Sequence, residues 1–194
     1  AAEGDRVRNL CAAAGIDWQP IRYHQNPPIL SGVWDRLMLQ RAAVRLQRTH
    51  RFDIVHCRSY LPSAAGLRLK RQFGVRFLFD MRGFWPEEKV EAGSWPQSNL
   101  LFRAVYRSIK RLESRLLRGA DHVVTLTEAA LPLFRARAGL KDDVTPISVI
   151  PCCADFDHFP LATLEARADS RNALGIPREA QVIAVELLPR RLIG

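Results

Sequence analysis

The sequence predicts an α/β protein: a doubly wound, mostly parallel sheet, followed by a fragment of a second unit. Two observations carry that expectation. Short apolar runs at Phe52–Cys57, Val75–Phe79, His122–Leu126 and Ile147–Ile150 alternate with longer helical stretches. A strand-then-helix order repeated along a chain joins parallel strands through crossover helices. In addition, Val75–Phe79 is apolar apart from Arg76, the pattern of a strand covered on both faces.

The elements follow in order. Asp5–Ala14 suits a short helix ended by Gly15, and Ile16–Tyr23 reads as a strand running into the Pro27-Pro28 loop. Ser31 is a plausible N-cap for a helix to about His50, with Val33, Leu37 and Val44 inward and Arg36, Arg41, Arg45 and Arg48 outward. After the strand Phe52–Cys57, residues Arg58 to Pro62 form a loop and Ser63 caps a helix that Gly74 stops. A long helix is expected over Gln97–Arg118, ended by Gly119. Thr127 is a good N-cap for a helix over Glu128–Ala138, with Pro132 near its first turn. Residues 1–150 thus form one Rossmann-like domain, 151–169 a hinge or polar linker, and 170–194 the start of another unit with a short helix at Ser170–Leu174 and a strand at Gln181–Val185.

Composition narrows the function. The 194 residues are 47% apolar and 25% charged, so a packed protein is expected. No run approaches the ~18 to 20 apolar residues of a membrane-spanning helix. The opening AAEGDRVRNL lacks signal-peptide order, which gives a cytoplasmic expectation, extended to peripheral attachment at the inner membrane face. Cys11, Cys57, Cys152 and Cys153 show no metal-ligand spacing and read as reduced structural thiols, so no metal is expected. A net charge of +9 points to anionic partners such as phosphates, nucleic acid or an acidic membrane leaflet. Specific nucleic-acid binding is not expected, because no zinc pattern, stacking-aromatic motif or helix-turn-helix is present.

The stretch FDMRGFWPEE, residues 79–88, ends the apolar run at Val75–Phe79 abruptly. It lies at the carboxyl end of a parallel strand, where open α/β sheets bind ligands. Asp80 can accept hydrogen bonds, Arg82 can pair with a phosphate or carboxylate, and Gly83 lets backbone approach a ligand. Trp85 offers an aromatic face to a ligand. The structural alternatives stay open: an Asp80–Arg82 ion pair, and Trp85 packed in a lid. Glu87 and Glu88 read as a solvated helix start. Arg58, Ser59 and Tyr60 follow the preceding strand at the same rim, and His56, inside that strand, reads as a structural histidine. Thr127 and Glu128 sit where a strand meets a helix and are explained as a cap.

FDIVHCRSYLPS, FLFDMRGFWPEE, ADHVVTLTEAA and VIPCCADFDHF, in this order, resemble the amino-terminal domain of family-four retaining glycosyltransferases of GT-B architecture, from about residue 5 to residue 185. The resemblance implies an acceptor-side half facing a cleft, with a nucleotide-sugar donor held mainly by a second half. It implies transfer to a glycan or lipid-linked acceptor with retention of configuration, and no cofactor or metal. Asp80 and Arg82 would be catalytic. Arg58, Ser59, Gly83, Trp85, Thr127, Glu128 and Asp155 would bind substrate. The sequence departs from the family pattern at Cys152 and Cys153, where Asn-Gly is usual, while Asp155 and Phe159 match. No strand with a Gly-rich turn precedes Asp5, and Glu186–Ile193 has no glycine where a Gly-rich turn is expected. The expectation is a fragment, truncated at both ends and inactive alone. Two rivals remain: a non-catalytic basic module for polyanions or acidic membranes, suggested by Arg103, Arg107, Lys110, Arg111, Arg115 and Arg118 on one helix, and a sugar-nucleotide epimerase of the same fold.

Overall fold

A computed structural model describes residues 2–24, 26–138, 145–157 and 161–182. These residues fall into two compact units divided between Pro151 and Cys152. The first contains α1 (Ala2–Ala13), α2 (Pro28–His50), β1 (Ile54–Arg58), α3 (Tyr60–Phe73), β2 (Arg76–Asp80), α4 (Trp85–Glu91), α5 (Leu100–Gly119), β3 (His122–Thr125), a single 3-10 turn at Glu128–Ala130, α6 (Leu131–Ala138) and β4 (Ile147–Val149). The second contains α7 (Leu164–Ala173).

The four strands form one sheet in the order β1-β2-β3-β4, and every neighbouring pair is parallel. The alternating strand and helix signals required this arrangement. Each strand is joined to the next by helix, as parallel pairing demands. Alternation along the strands then sorts side chains onto two faces. Cys57, Phe77, Phe79 and Val123 point one way and pack with Leu67, Leu112, Leu116 and Leu117 of α3 and α5. Burying side chains of this size contributes about 1.5–3 kcal/mol each. The register Ile54↔Arg76, His56↔Leu78 and Arg58↔Asp80 places the intervening residues on the opposite face.

The approach of α3 to the sheet depends on Gly66. A Cβ there would lie 2.7 Å from both Cys57 Sγ and the Phe77 ring. Gly119 works similarly: it is the last residue of α5 rather than a left-handed stop beyond it, and a Cβ would meet Leu67 at 2.5 Å.

Several expectations are corrected. Residues 16–24 make no strand and run irregularly. Their end is tied to α2, where the His24 N–H donates to Asp35 Oδ2 (2.8 Å) and the imidazole Nδ1 meets Oδ1 (2.6 Å). These bonds hold the Asp35 carboxyl below its ordinary pKa. Helix α2 starts one turn earlier than Ser31, with Pro28 in its first turn, where a missing N–H is harmless. Its buried face is Ser31, Gln40 and Gln47, whereas Val33 and Leu37 are 54% and 42% exposed. Helix α3 begins at Tyr60 and includes Pro62, so Ser63 is not its cap. Ser63 is instead buried, its Oγ donating toward the Cys57 and Ser59 carbonyls. In the second unit, α7 begins at Leu164, within the expected linker, because Thr163 Oγ1 accepts from the Ala166 N–H and caps it. Gln181 and Val182 are not in a strand. The rest of that expected strand, Phe159 and residues 186–193 lie outside the described residues.

Asp121 explains part of the ADHVV signature. Its Oδ2 accepts from the Phe77 N–H (2.8 Å) and meets Lys70 Nζ at 3.0 Å, while its own N–H donates to the Phe77 carbonyl. Burial pushes its carboxyl upward, but the Phe77 N–H, Lys70 and Arg76 outweigh this and hold it below the ordinary value. A depressed carboxyl contributes stability above its unfolded pKa and loses it as pH falls through the folded value. Asp121→Asn is therefore expected to cost about 1–2 kcal/mol at pH 7 and to flatten the acid limb of stability below about pH 4. Denaturant midpoints at both pH values check this; parallel curves for the two proteins would show Asp121 to be neutral.

Candidate functional site

The carboxyl ends of β1 and β2 bring four polar residues together. Phe77 and Phe79 are fully buried against the helices, so the pleat forces Asp80 onto the other face with Arg58 and His56. Asp80 is 6% exposed. Its Oδ2 lies 3.5 Å from His56 Nε2 and 3.9 Å from an Arg82 guanidinium nitrogen. Oδ1 is buried with no hydrogen-bond partner among the described residues. A buried carboxylate oxygen left so costs about 1–3 kcal/mol, which a hydroxyl or N–H donor would offset.

His56 is the residue that sequence reasoning missed. Its imidazole is 56% exposed and leans on Asp80, which makes it a rim residue rather than a structural one. The period-two relation of His56 to Arg58 was the available signal.

The backbone here is strained. Ser59 has φ 68 and ψ 178, a region essentially reserved for glycine and costing about 1–3 kcal/mol for other residues. Its N–H donates to the Asp80 carbonyl (2.9 Å), and its carbonyl receives the Ser63 hydroxyl. These bonds lock the β1 rim to the β2 rim.

A buried polar network supports the loop after Asp80. Glu113 of α5 is 0% exposed and accepts from the Tyr60 hydroxyl at 2.7 Å. The same hydroxyl reaches the Gly83 carbonyl at 3.2 Å. Lys110 pairs with Glu113 and, at 2.9 Å, with Glu87. Glu87 is thus a structural anchor, not a solvated helix start, while Glu88 is exposed. Lys110 is likewise engaged inward, so it leaves the basic outer face expected of α5. At Gly83 the tight neighbour is Glu88, whose Oε1 would lie 2.7 Å from an added Cβ.

The other expected residues are placed differently. Trp85 packs edge-on to Trp95 (5.2 Å between ring centroids) and near Tyr60 (6.1 Å). It lines an apolar groove among the helices with Phe102 and Val105. Thr127 and Glu128 are exposed just past β3, and Thr127 makes no side-chain cap bond. Asp155 belongs to the second unit, where its Oδ1 accepts from the Asp157 N–H at 3.0 Å. Among the described residues no cluster of three or more metal-ligating side chains occurs.

The chain matches the glycosyl transferase 4-like domain over residues 1–153 and belongs to that family. Its fold is also that of sucrose-phosphate synthase from Thermosynechococcus elongatus, with a TM-score of 0.55 at 19% identity. That match covers 91% of this chain and 48% of the synthase, so the chain spans about half of that structure's length. No curated protein sequence matches the chain. The expected GT-B type of α/β fold is therefore the one observed, and glycosyl transfer is the activity of the family.

Two outcomes follow from the rim. Ser59→Gly removes the strain and is expected to raise stability by about 1 kcal/mol in thermal unfolding; a loss would mean that the serine side chain holds the turn. Burial pushes the Cys57 thiol up to about 11, and Cys57 is 7% exposed. Thiol labelling at pH 8 should therefore modify the exposed Cys152 and Cys153 and spare Cys57 until the protein unfolds. Fast native labelling of Cys57 would contradict its placement beneath α3.

Proposed function

We propose that the chain is the acceptor-side half of a retaining glycosyltransferase, which moves a sugar from a nucleotide-sugar donor to a glycan or lipid-linked acceptor. The observation that carries this reading is the rim cluster: a buried carboxylate with one unpartnered oxygen, flanked by His56, Arg58 and Arg82. A hydroxyl-bearing ligand supplies the missing donor once the rim side chains covering Asp80 shift, since Asp80 is 6% exposed and its Oδ1 is buried. The two guanidinium groups suit phosphate or carboxylate oxygens. His56, backed by Asp80, can relay the acceptor proton as its hydroxyl attacks.

In this reading the rim binds and orients acceptor, while leaving-group charge is stabilised by fixed positive groups of the donor half. Transfer to acceptor, as opposed to epimerisation of the free sugar nucleotide, is favoured by an exposed imidazole at a solvent-facing rim.

Arg82→Ala, made in the protein that carries this chain, is expected to lower turnover about 100-fold, within the ~2.7–4 kcal/mol typical of losing one preorganised charged donor. The melting temperature should move by only a few degrees, because the Arg82–Asp80 contact is long and partly exposed. Turnover and stability assays on the same samples decide the matter. Equal losses in both would return Arg82 to a structural role.

A further inference from the structure

The apolar stripe of α2 faces away from the core. Leu30, Val33, Trp34 and Leu37 recur at i, i+3, i+4 and i+7, the spacing of a helix that buries one side. The helix turns Ser31, Gln40 and Gln47 inward instead, and leaves the four apolar side chains 69%, 54%, 53% and 42% exposed. All four line an open apolar hollow of about 410 Å³, which His24 closes at one side. His24 is itself tied to α2 through Asp35. A continuous apolar patch facing solvent marks an interaction surface.

Shape, charge and area select the occupant. The patch carries both a large exposed ring, Trp34, and a hollow beside it, so it can complement a copy of itself, as a two-fold interface requires. No Arg, Lys, Asp or Glu lines the hollow, so it offers nothing to an anionic ligand. The charge of α2 lies mainly in its carboxyl half, at Arg41, Arg45 and Arg48. A parallel pair of α2 helices would stack these cations on their own copies, which repel. An antiparallel pair about an axis between Val33 and Trp34 sets Leu30 of one copy against Leu37 of the other and Arg36 against Ser31, and it moves the basic halves apart. Covering the exposed part of Trp34 and of the three aliphatic side chains supplies roughly half of the ~800 Å² per partner of a standard interface. The 23-residue helix, about 35 Å long, provides the flanks.

We propose that the chain pairs with a second copy of itself as a two-fold dimer through α2, with the Leu30, Val33, Trp34 and Leu37 stripes of the two copies packed antiparallel and each Trp34 seated in the hollow of the other copy. The stripe that misses the core of one copy thereby becomes the core of the pair. The rim residues at the carboxyl ends of β1 and β2 take no part. Failure of the glycosyltransferase reading would leave the dimer standing, and failure of the dimer would leave that reading untouched.

Sedimentation equilibrium of the full chain from about 1 to 100 μM tests it. The expected result is a dimer mass, with Trp34→Glu weakening self-association about 100-fold or more, because each dimer carries the change twice. Leu161→Glu removes an apolar side chain that is 84% exposed in the second unit and should change self-association less than about twofold. Leu30→Lys and Leu37→Glu should each weaken it, and the two combined should recover at least about tenfold over either alone, since residue 30 of one copy meets residue 37 of the other. A monomer at every concentration would overturn the proposal and leave the stripe to a lipid surface or to another segment of the longer protein. Losses of equal size from Leu161→Glu and Trp34→Glu would reduce the effect to general stickiness and overturn it as well. So would a combined variant no tighter than its two parents, or a monomeric longer protein whose isolated chain dimerises. Circular dichroism confirms folding; if Trp34→Glu unfolds, Leu37→Ser gives the same comparison, with a several-fold loss expected.

Discussion

The pleat of β2 is the constraint on which the rest depends. Phe77 and Phe79 are both fully buried under α3 and α5, and a strand cannot turn two alternate side chains inward without sending their neighbours the other way. Asp80 is therefore driven onto the far face at the carboxyl end. There the parallel register with β1 puts Arg58 opposite and His56 diagonal to it. A slip of one residue would bring Asp80 under the helices and leave the phenyl rings exposed. Core packing and the candidate site are in this sense one arrangement.

What surrounds the rim is costly to build and appears on both sides of it. Ser59 holds a backbone conformation that favours glycine, and Glu113 is a charged side chain with no exposure. The network through Tyr60 to the Gly83 carbonyl, and through Lys110 to Glu87, compensates the buried charge. Removing one member of such a network is far worse than never having had it. Its position explains why the loop carrying Arg82 leaves the strand in a defined direction.

The four strands, α3 and α5 were legible because each is specified by its own neighbours: apolar runs, a glycine break, a charged stripe at helical spacing. The rim loop was legible for the same reason, since FDMRG breaks an apolar run. Residues whose role depends on distant partners were not. His56 takes its meaning from Asp80, 24 positions away, and Glu113 looks like one more charge on a basic helix until Tyr60 and Lys110 close on it. The strand expected at Ile16–Tyr23 failed because apolar alternation cannot make a strand without a pairing edge. Val33 and Leu37 were expected inward from periodicity alone, which knows the stripe but not what faces it.

The account turns on whether the Asp80 rim receives a hydroxyl-bearing acceptor. The most direct measurement is a crystal structure of the protein that carries this chain, with a nucleoside diphosphate and an acceptor glycan bound. The account predicts an acceptor hydroxyl within hydrogen-bond distance of Asp80 Oδ1 and a sugar in reach of His56 and Arg82. An acceptor bound away from all three, with the Asp80 carboxylate still sealed, would contradict it.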